Sequence, residues 1–315
     1  MRKSPVIDGT RPLPHGPVLK RPRCSGFTLI ELLVASAILL LLVVILAGIF
    51  SSVSKTSQMG YSNNERIQNI LATTDFIRGE LRSALLPINR PDTNNLQLIV
   101  NPSTISSQFK NPQAIFWQAP TASDQTLGDV AEVGYFVKWN TDNPANPRPS
   151  LCRFSVANST AGTNFLIYSG TPWLSDSILN SVAPADKAGA YEGLIAENVV
   201  ALFVQSLDSK GQPISKAANG SAFNNATFDS RQGYTDAAGT VVAACALPPL
   251  VRLGFVVIDT RSAAHIGTAE QTALTNISAT DAADYVAKAL ASPQLKGVSP
   301  GLRSYQTEIN LLNAR

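Results

Sequence analysis

From Phe27 to Phe50 the chain is mostly apolar, and from Leu32 to Phe50 it carries no charged residue. As a helix rising about 1.5 Å per residue, this stretch spans ~36 Å, enough to cross a hydrocarbon layer of ~30 Å. It predicts a transmembrane helix over residues 27–50. A buried core helix would be shorter or striped. A secretory signal would have a shorter apolar region followed by a small-residue cleavage site, and none follows here. A lipoprotein signal would place its cysteine after the apolar run, whereas Cys24 precedes it.

Beyond Phe50 the pattern becomes striped. Ile67, Ile70, Leu71, Ile77, Leu81 and Leu85 recur at spacings of three and four among Asn64, Glu65, Arg66, Arg78, Glu80 and Arg82. This predicts an amphipathic continuation of the helix over 51–87, with one stripe facing a partner and Pro87 closing it. Gly60 and the Ser-rich stretch 51–57 leave a second reading open, two helices joined by a loop near 51–62.

From residue 96 the period changes. Leu96–Val100, Ala114–Trp117, Val130–Trp139, Leu151–Val156, Phe165–Tyr168, Ile195–Leu207 and Leu250–Asp259 are short apolar runs between Pro, Asn, Gly and Ser clusters, and read as strands. In Val133–Trp139 alternate residues can face a core. Val199–Val204 and Leu253–Ile258 are more continuous, which suits strands covered by the long helix. Asp208–Gly211 reads as a turn, and 209–247 as a long surface loop or small insertion. Residues 281–291 predict a short amphipathic helix capped by Asp281, and Tyr305–Leu312 a final strand. The fold class expected is α+β: a long N-terminal helix packed on an antiparallel sheet, with the β-rich body at 88–315.

The charge distribution sharpens this picture. The first 26 residues hold six basic residues and one acid, so removing them takes 25 basic and 22 acidic residues to 19 and 21, a net of −2. The body has no polyanion-binding footprint, so a nucleic-acid partner is not expected. The leader is rich in Pro and basic residues and reads as disordered. Because its charges all precede the apolar run, the N-terminus should stay in the cytoplasm and the body should cross the membrane.

One acid interrupts the apolar pattern. Glu31 sits just inside it, where an uncompensated carboxylate costs up to ~2.5–3.5 kcal/mol on insertion scales. If the chain is cut after Gly26, Phe27 acquires a free amine one helical turn away. The carboxylate can then neutralise that amine or reach the amine of a neighbouring subunit, and it also favours the positive end of the helix dipole.

The segment Ser25–Ala35, SGFTLIELLVA, resembles the processing motif of type IV pilins and of type II secretion pseudopilins. That resemblance implies cleavage after Gly26 by a prepilin peptidase, methylation of Phe27, and a role for Glu31, fifth in the mature chain, in guiding assembly with other pseudopilin subunits. It also implies a pilin-like fold and a bacterial inner-membrane anchor with a periplasmic body. The leader is longer than in many family members. The order of body features, ELRSALLP, LIAENVVALFVQSLD, LPPLVRLGFVVID and YQTEINLLN, looks like J-type minor pseudopilins, and also like the Verru_Chthon cassette protein C group.

Catalytic chemistry is not expected. The histidines are His15, in the leader, and His265; a lone His in a polar stretch is ordinarily a surface residue. No metal-ligand spacing, nucleophile elbow or phosphate-cradling glycine loop occurs, and no cofactor is implied. Asp124, Asp129 and Asp142 lack the fuller ligand set of a calcium loop. Trp117, Tyr135 and Trp139 fall at strand-like positions, where core packing is the default and an exposed recognition patch the alternative. Of the three cysteines, Cys24 would leave with the leader. Cys152 and Cys245 would remain, either as one disulfide or as two separate thiols. The expected function is therefore structural, a minor pseudopilin-like filament subunit. The alternative is an independent single-pass anchored binding protein or enzyme.

Overall fold

A computed structural model describes residues 26–86, 98–120, 130–157, 174, 176, 179, 193–223 and 227–314. The leader before Gly26, Pro87, Asp124, Asp129 and the run Phe165–Tyr168 lie outside the described residues. Helix α1 runs from Leu29 to Arg82 without a break, so the reading with a loop near 51–62 is not what the chain adopts. The chain divides into two units, residues 1–58 and 59–315.

In the second unit, α1 buries Ile70, Thr73, Thr74, Ile77 and Leu81, and Ala84 is buried just beyond its end. These are spaced as one face of a helix should be. The stripe departs from the sequence pattern, Ile67 and Leu85 being only half-buried. Leu71 is 55% exposed, because the buried face runs through the threonines at 73 and 74 instead.

The strands that follow are β1 (Leu98–Val100), β2 (Ala114–Pro120), β3 (Val130–Asn140), β4 (Arg148–Ala157), β5 (Gly193–Glu197), β6 (Val199–Leu207), β7 (Phe228–Asp229), β8 (Tyr234–Thr235), β9 (Val241–Val242), β10 (Leu250–Ile258) and β11 (Leu302–Asn310). Between β10 and β11 lie the helices α2 (Thr260–Ala263), α3 (Thr268–Thr275) and α4 (Ala282–Ala291). The strands form a six-stranded sheet in the order β5-β4-β3-β2-β1-β7, a three-stranded sheet in the order β11-β10-β6, and a β8-β9 ribbon. All named pairs are antiparallel. The architecture is α+β.

The run Ile195–Leu207, expected as one strand, is two. Asn198 sits between them at φ 60°, a left-handed conformation that Asn tolerates better than most residues. That single residue passes the chain from the edge of the large sheet to the small one. The outer edge of β6 is then covered: Leu202 N–H donates to Asn111 O at 2.8 Å and Gln113 N–H to Leu202 O at 3.2 Å. The Gln113 side-chain carbonyl accepts the N–H of Val204.

The main core joins the α1 stripe to Val133, Tyr135 and Val137 of β3 and to Leu202, Val204, Leu253, Phe255 and Val257 of the small sheet. The opposite face of the small sheet, with Ala201, Phe203, Val256 and Ile258, packs on α2–α4 through Ala263, Tyr285 and Ala289. The sequence reading gave these strands one covering helix. Burial on both faces explains why their apolar runs are continuous rather than alternating. Helix α4 is capped as expected, Asp281 Oδ1 accepting from Ala283 N at 2.9 Å and Asp284 N at 2.8 Å.

The stretch 209–247 is more than a surface loop. Asp208–Gly211 is a turn, with Gly211 N–H on Asp208 O at 3.0 Å and Gly211 at φ 75°. Beyond it, however, β7 extends the large sheet, and Phe223, Phe228, Tyr234 and Leu247 are buried in the main core. These large apolar residues are scattered singly among polar, Gly, Ala and Pro positions, which hides their contribution from any periodicity argument.

Candidate processing and assembly segment

Residues 26–31 form the head of α1. Gly26 precedes the helix and is exposed, with open space where a Cβ would stand. Thr28 is the cap. Its carbonyl accepts from Leu32 N at 3.2 Å, and its Oγ1 accepts from Glu31 N at 3.3 Å. Glu31 reaches back, its Oε2 accepting from Thr28 N and from Thr28 Oγ1, both at 2.9 Å. This is a reciprocal capping box, which satisfies donors that the first helical turn leaves open. With the leader attached there is no amine at Phe27, and Glu31 is held by the two hydrogen bonds that Thr28 donates. The T-x-x-E spacing could have revealed this box from the sequence.

Below the cap, Leu29–Ser57 is long and apolar enough to cross a membrane, with mean hydropathy 3.2 and no part of its most apolar window buried. Leu39, Leu40, Leu41, Val44 and Leu46 each stand more than half exposed. A continuous apolar cylinder of this kind is far beyond the patches that soluble proteins leave open. The helical backbone also satisfies its own polar groups, as lipid requires. Ser36, within the run, bonds to Leu33 O at 2.9 Å.

Residues 21–47 match the family model described as the prokaryotic N-terminal methylation motif. The head of α1 therefore carries a prokaryotic N-terminal methylation motif. Among solved structures, the type IV-like pilin TTHA1219 from Thermus thermophilus is similar at 12% identity, over 79% of this chain and 98% of that one. The TM-score is 0.32, too low to bear on the argument. No curated protein matches the chain.

The other candidate residues lie apart from this segment. Cys152 is on β4, among Phe109, Phe116, Phe136 and Phe154, with burial pushing its thiol up to about 11. Cys245 is buried beside the residue that follows β7, its N–H donating to Ser230 O at 2.9 Å. β4 and β7 are four strand steps apart in the sheet order. At ~4.8 Å per step this is on the order of 20 Å, far beyond the ~4.4–6.8 Å between Cα atoms that a disulfide spans. The fold does not bring the two cysteines together.

His265 is exposed at the end of α2, and Asp142 is exposed in the β3–β4 turn. Trp117 and Tyr135 are fully buried and stacked, centroids 5.5 Å apart. They are core residues rather than a recognition patch. Trp139 packs more loosely, against the α2–α4 side of the small sheet. Among the described residues no group of three His, Cys, Asp or Glu side chains is placed to hold a metal. A groove of about 400 Å3 runs between Asn69–Thr73 of α1 and the β5–β6 junction.

A charged cluster that the sequence reading missed ties α1 to the large sheet. Glu80 Oε1 accepts from Arg153 Nη2 at 2.6 Å, and Oε2 accepts from Arg153 Nε at 3.1 Å and from the Tyr135 hydroxyl. The guanidinium lies 5.8 Å from the centre of the Phe76 ring. Burial opposes the Arg153 charge, but the bonds and charge of Glu80 outweigh it and hold its pKa above the ordinary value. Burial first, and then the Glu80 carboxylate, push the Tyr135 phenol up.

Proposed function

We propose that this chain is a structural subunit of a type II secretion or type IV pilus-like filament, minor pseudopilin-like in character. In this reading a prepilin peptidase cuts after Gly26 and Phe27 is methylated. The body stands on the periplasmic side of a bacterial inner membrane. The single observation that carries the reading is the methylation-motif match at the head of an exposed apolar helix.

The geometry supports a mechanism. The Thr28–Glu31 box holds the carboxylate at the helix head, within a turn of the amine that cleavage creates. A partner amine can compete for that carboxylate and fix the axial register of packed helices, since a charge at this depth requires a counter-charge. Removing 26 of 315 residues leaves 289, more than a minimal repeating subunit needs, which favours a minor or tip position. The J-like order of body features favours a secretion filament.

The test is mass spectrometry of the mature N-terminus together with crosslinking to partner subunits. A chain beginning at methylated Phe27 is expected. Glu31→Val should still be cut but should lose its crosslinks. An intact leader, or a cut near residue 50, refutes the reading in favour of an independent anchored protein.

A further inference from the structure

The face of the six-stranded sheet turned away from the main core holds, among its described residues, one fully buried carboxyl group. Glu132 lies on β3, opposite Gln118 of β2 and Val156 of β4, and is completely inaccessible. Gln118 Nε2 donates to Glu132 Oε1 at 2.9 Å. The other oxygen, Oε2, is buried with no hydrogen-bond partner. On the same face, Phe116, Phe136 and Phe154 form an aromatic cluster with Phe109. The Phe116 ring fills the space over Gly134, 2.0 Å from where a Cβ would stand.

A carboxylate with one neutral hydrogen bond and no counter-charge is costly in such a place. The other titratable groups on this side, among the described residues, are Cys152, Lys138, Arg148 and Glu197 further along the strands, Asp229 paired with Arg231 at β7, and Lys110 and Asp176 at the margin. None of them bonds to Glu132. Arg153 projects to the opposite face, toward Glu80.

We propose that Glu132 is a proton-dependent fastener of this face. Neutral, its carboxyl group packs under the aromatic cluster; ionised, it demands water, and the face must open to supply it. Burial, against the smaller opposing effect of Gln118, pushes the carboxyl up to about 8. In the unfolded chain the group ionises near its ordinary value of 4.5. Between those two values the native state holds a proton that the unfolded state lacks. Stability is therefore full below the lower value, falls as pH rises, and levels off above the upper one.

The experiment is urea unfolding of the full chain in detergent at pH 5 and pH 8. From pH 5 to pH 8 the wild-type unfolding constant should rise by about two to three orders of magnitude more than that of Glu132→Gln. Equal pH dependence in the two proteins overturns the proposal. If Glu132→Gln does not fold, Glu132→Met, which keeps the volume without the acid, replaces it. If neither folds, infrared spectra of wild-type protein labelled with 13C-glutamate decide. A protonated carboxyl band at pH 6.5 that vanishes on titration above pH 9 supports the fastener, and its absence at pH 6.5 refutes it.

Discussion

Replacing Glu80 by Gln tests whether α1 is held to the sheet by charge as well as by its apolar stripe. The substitution keeps shape and one acceptor but removes the charge that faces Arg153. The Arg153 side chain is 7% exposed and that of Glu80 21%, so the guanidinium would be left buried without its counter-ion. Breaking a buried pair from one side costs ~3–5 kcal/mol, and the partial exposure of Glu80 sets the expected loss at the low end, about 3 kcal/mol. For a domain of this size that lowers Tm by roughly 6–12 °C. The assay is thermal unfolding of the full chain in detergent, followed by near-ultraviolet circular dichroism. A second protein, Glu80→Leu with Arg153→Met and Tyr135→Phe, removes every member of the cluster at once and should recover most of the loss, because no polar group is then stranded. A Glu80→Gln protein within about 0.5 kcal/mol of wild type would refute the reasoning. So would a triple variant no more stable than the single one.

Two further outcomes follow from the packing of the large sheet. Gly134→Ala places a Cβ inside the Phe116 ring, and overpacking of this kind should cost about 1–3 kcal/mol or more in urea unfolding; an unchanged midpoint would show that the ring moves freely. The distance between Cys152 and Cys245 predicts identical electrophoretic mobility with and without reductant, and a faster-migrating non-reduced band would contradict the strand order.

The parts of this protein that were legible in its sequence are those written in one dimension. The length and purity of the apolar run specify an anchor because a bilayer has a fixed thickness. The Asp281 cap and the Asp208–Gly211 turn could be read because their bonds close within four residues. The alternation in Val133–Val137 was visible for the same reason, since strand faces repeat every second residue. The Thr28–Glu31 box is equally local.

Tertiary structure alone decided the rest, because the decisive partners are far apart in the chain. Glu80 meets Arg153 across 73 positions, and neither residue carries a local signal that it will be buried. Glu132 reads as an ordinary strand acid until the aromatic cluster on its face excludes water. Asn198 divides an apparently continuous strand through one backbone angle. The cysteines looked like a possible pair until the order of strands set them at opposite sides of one sheet. Composition counts such residues and periodicity gives them a face. Only the assembled sheets determine which of them share a site and which of their charges must find a partner or a proton.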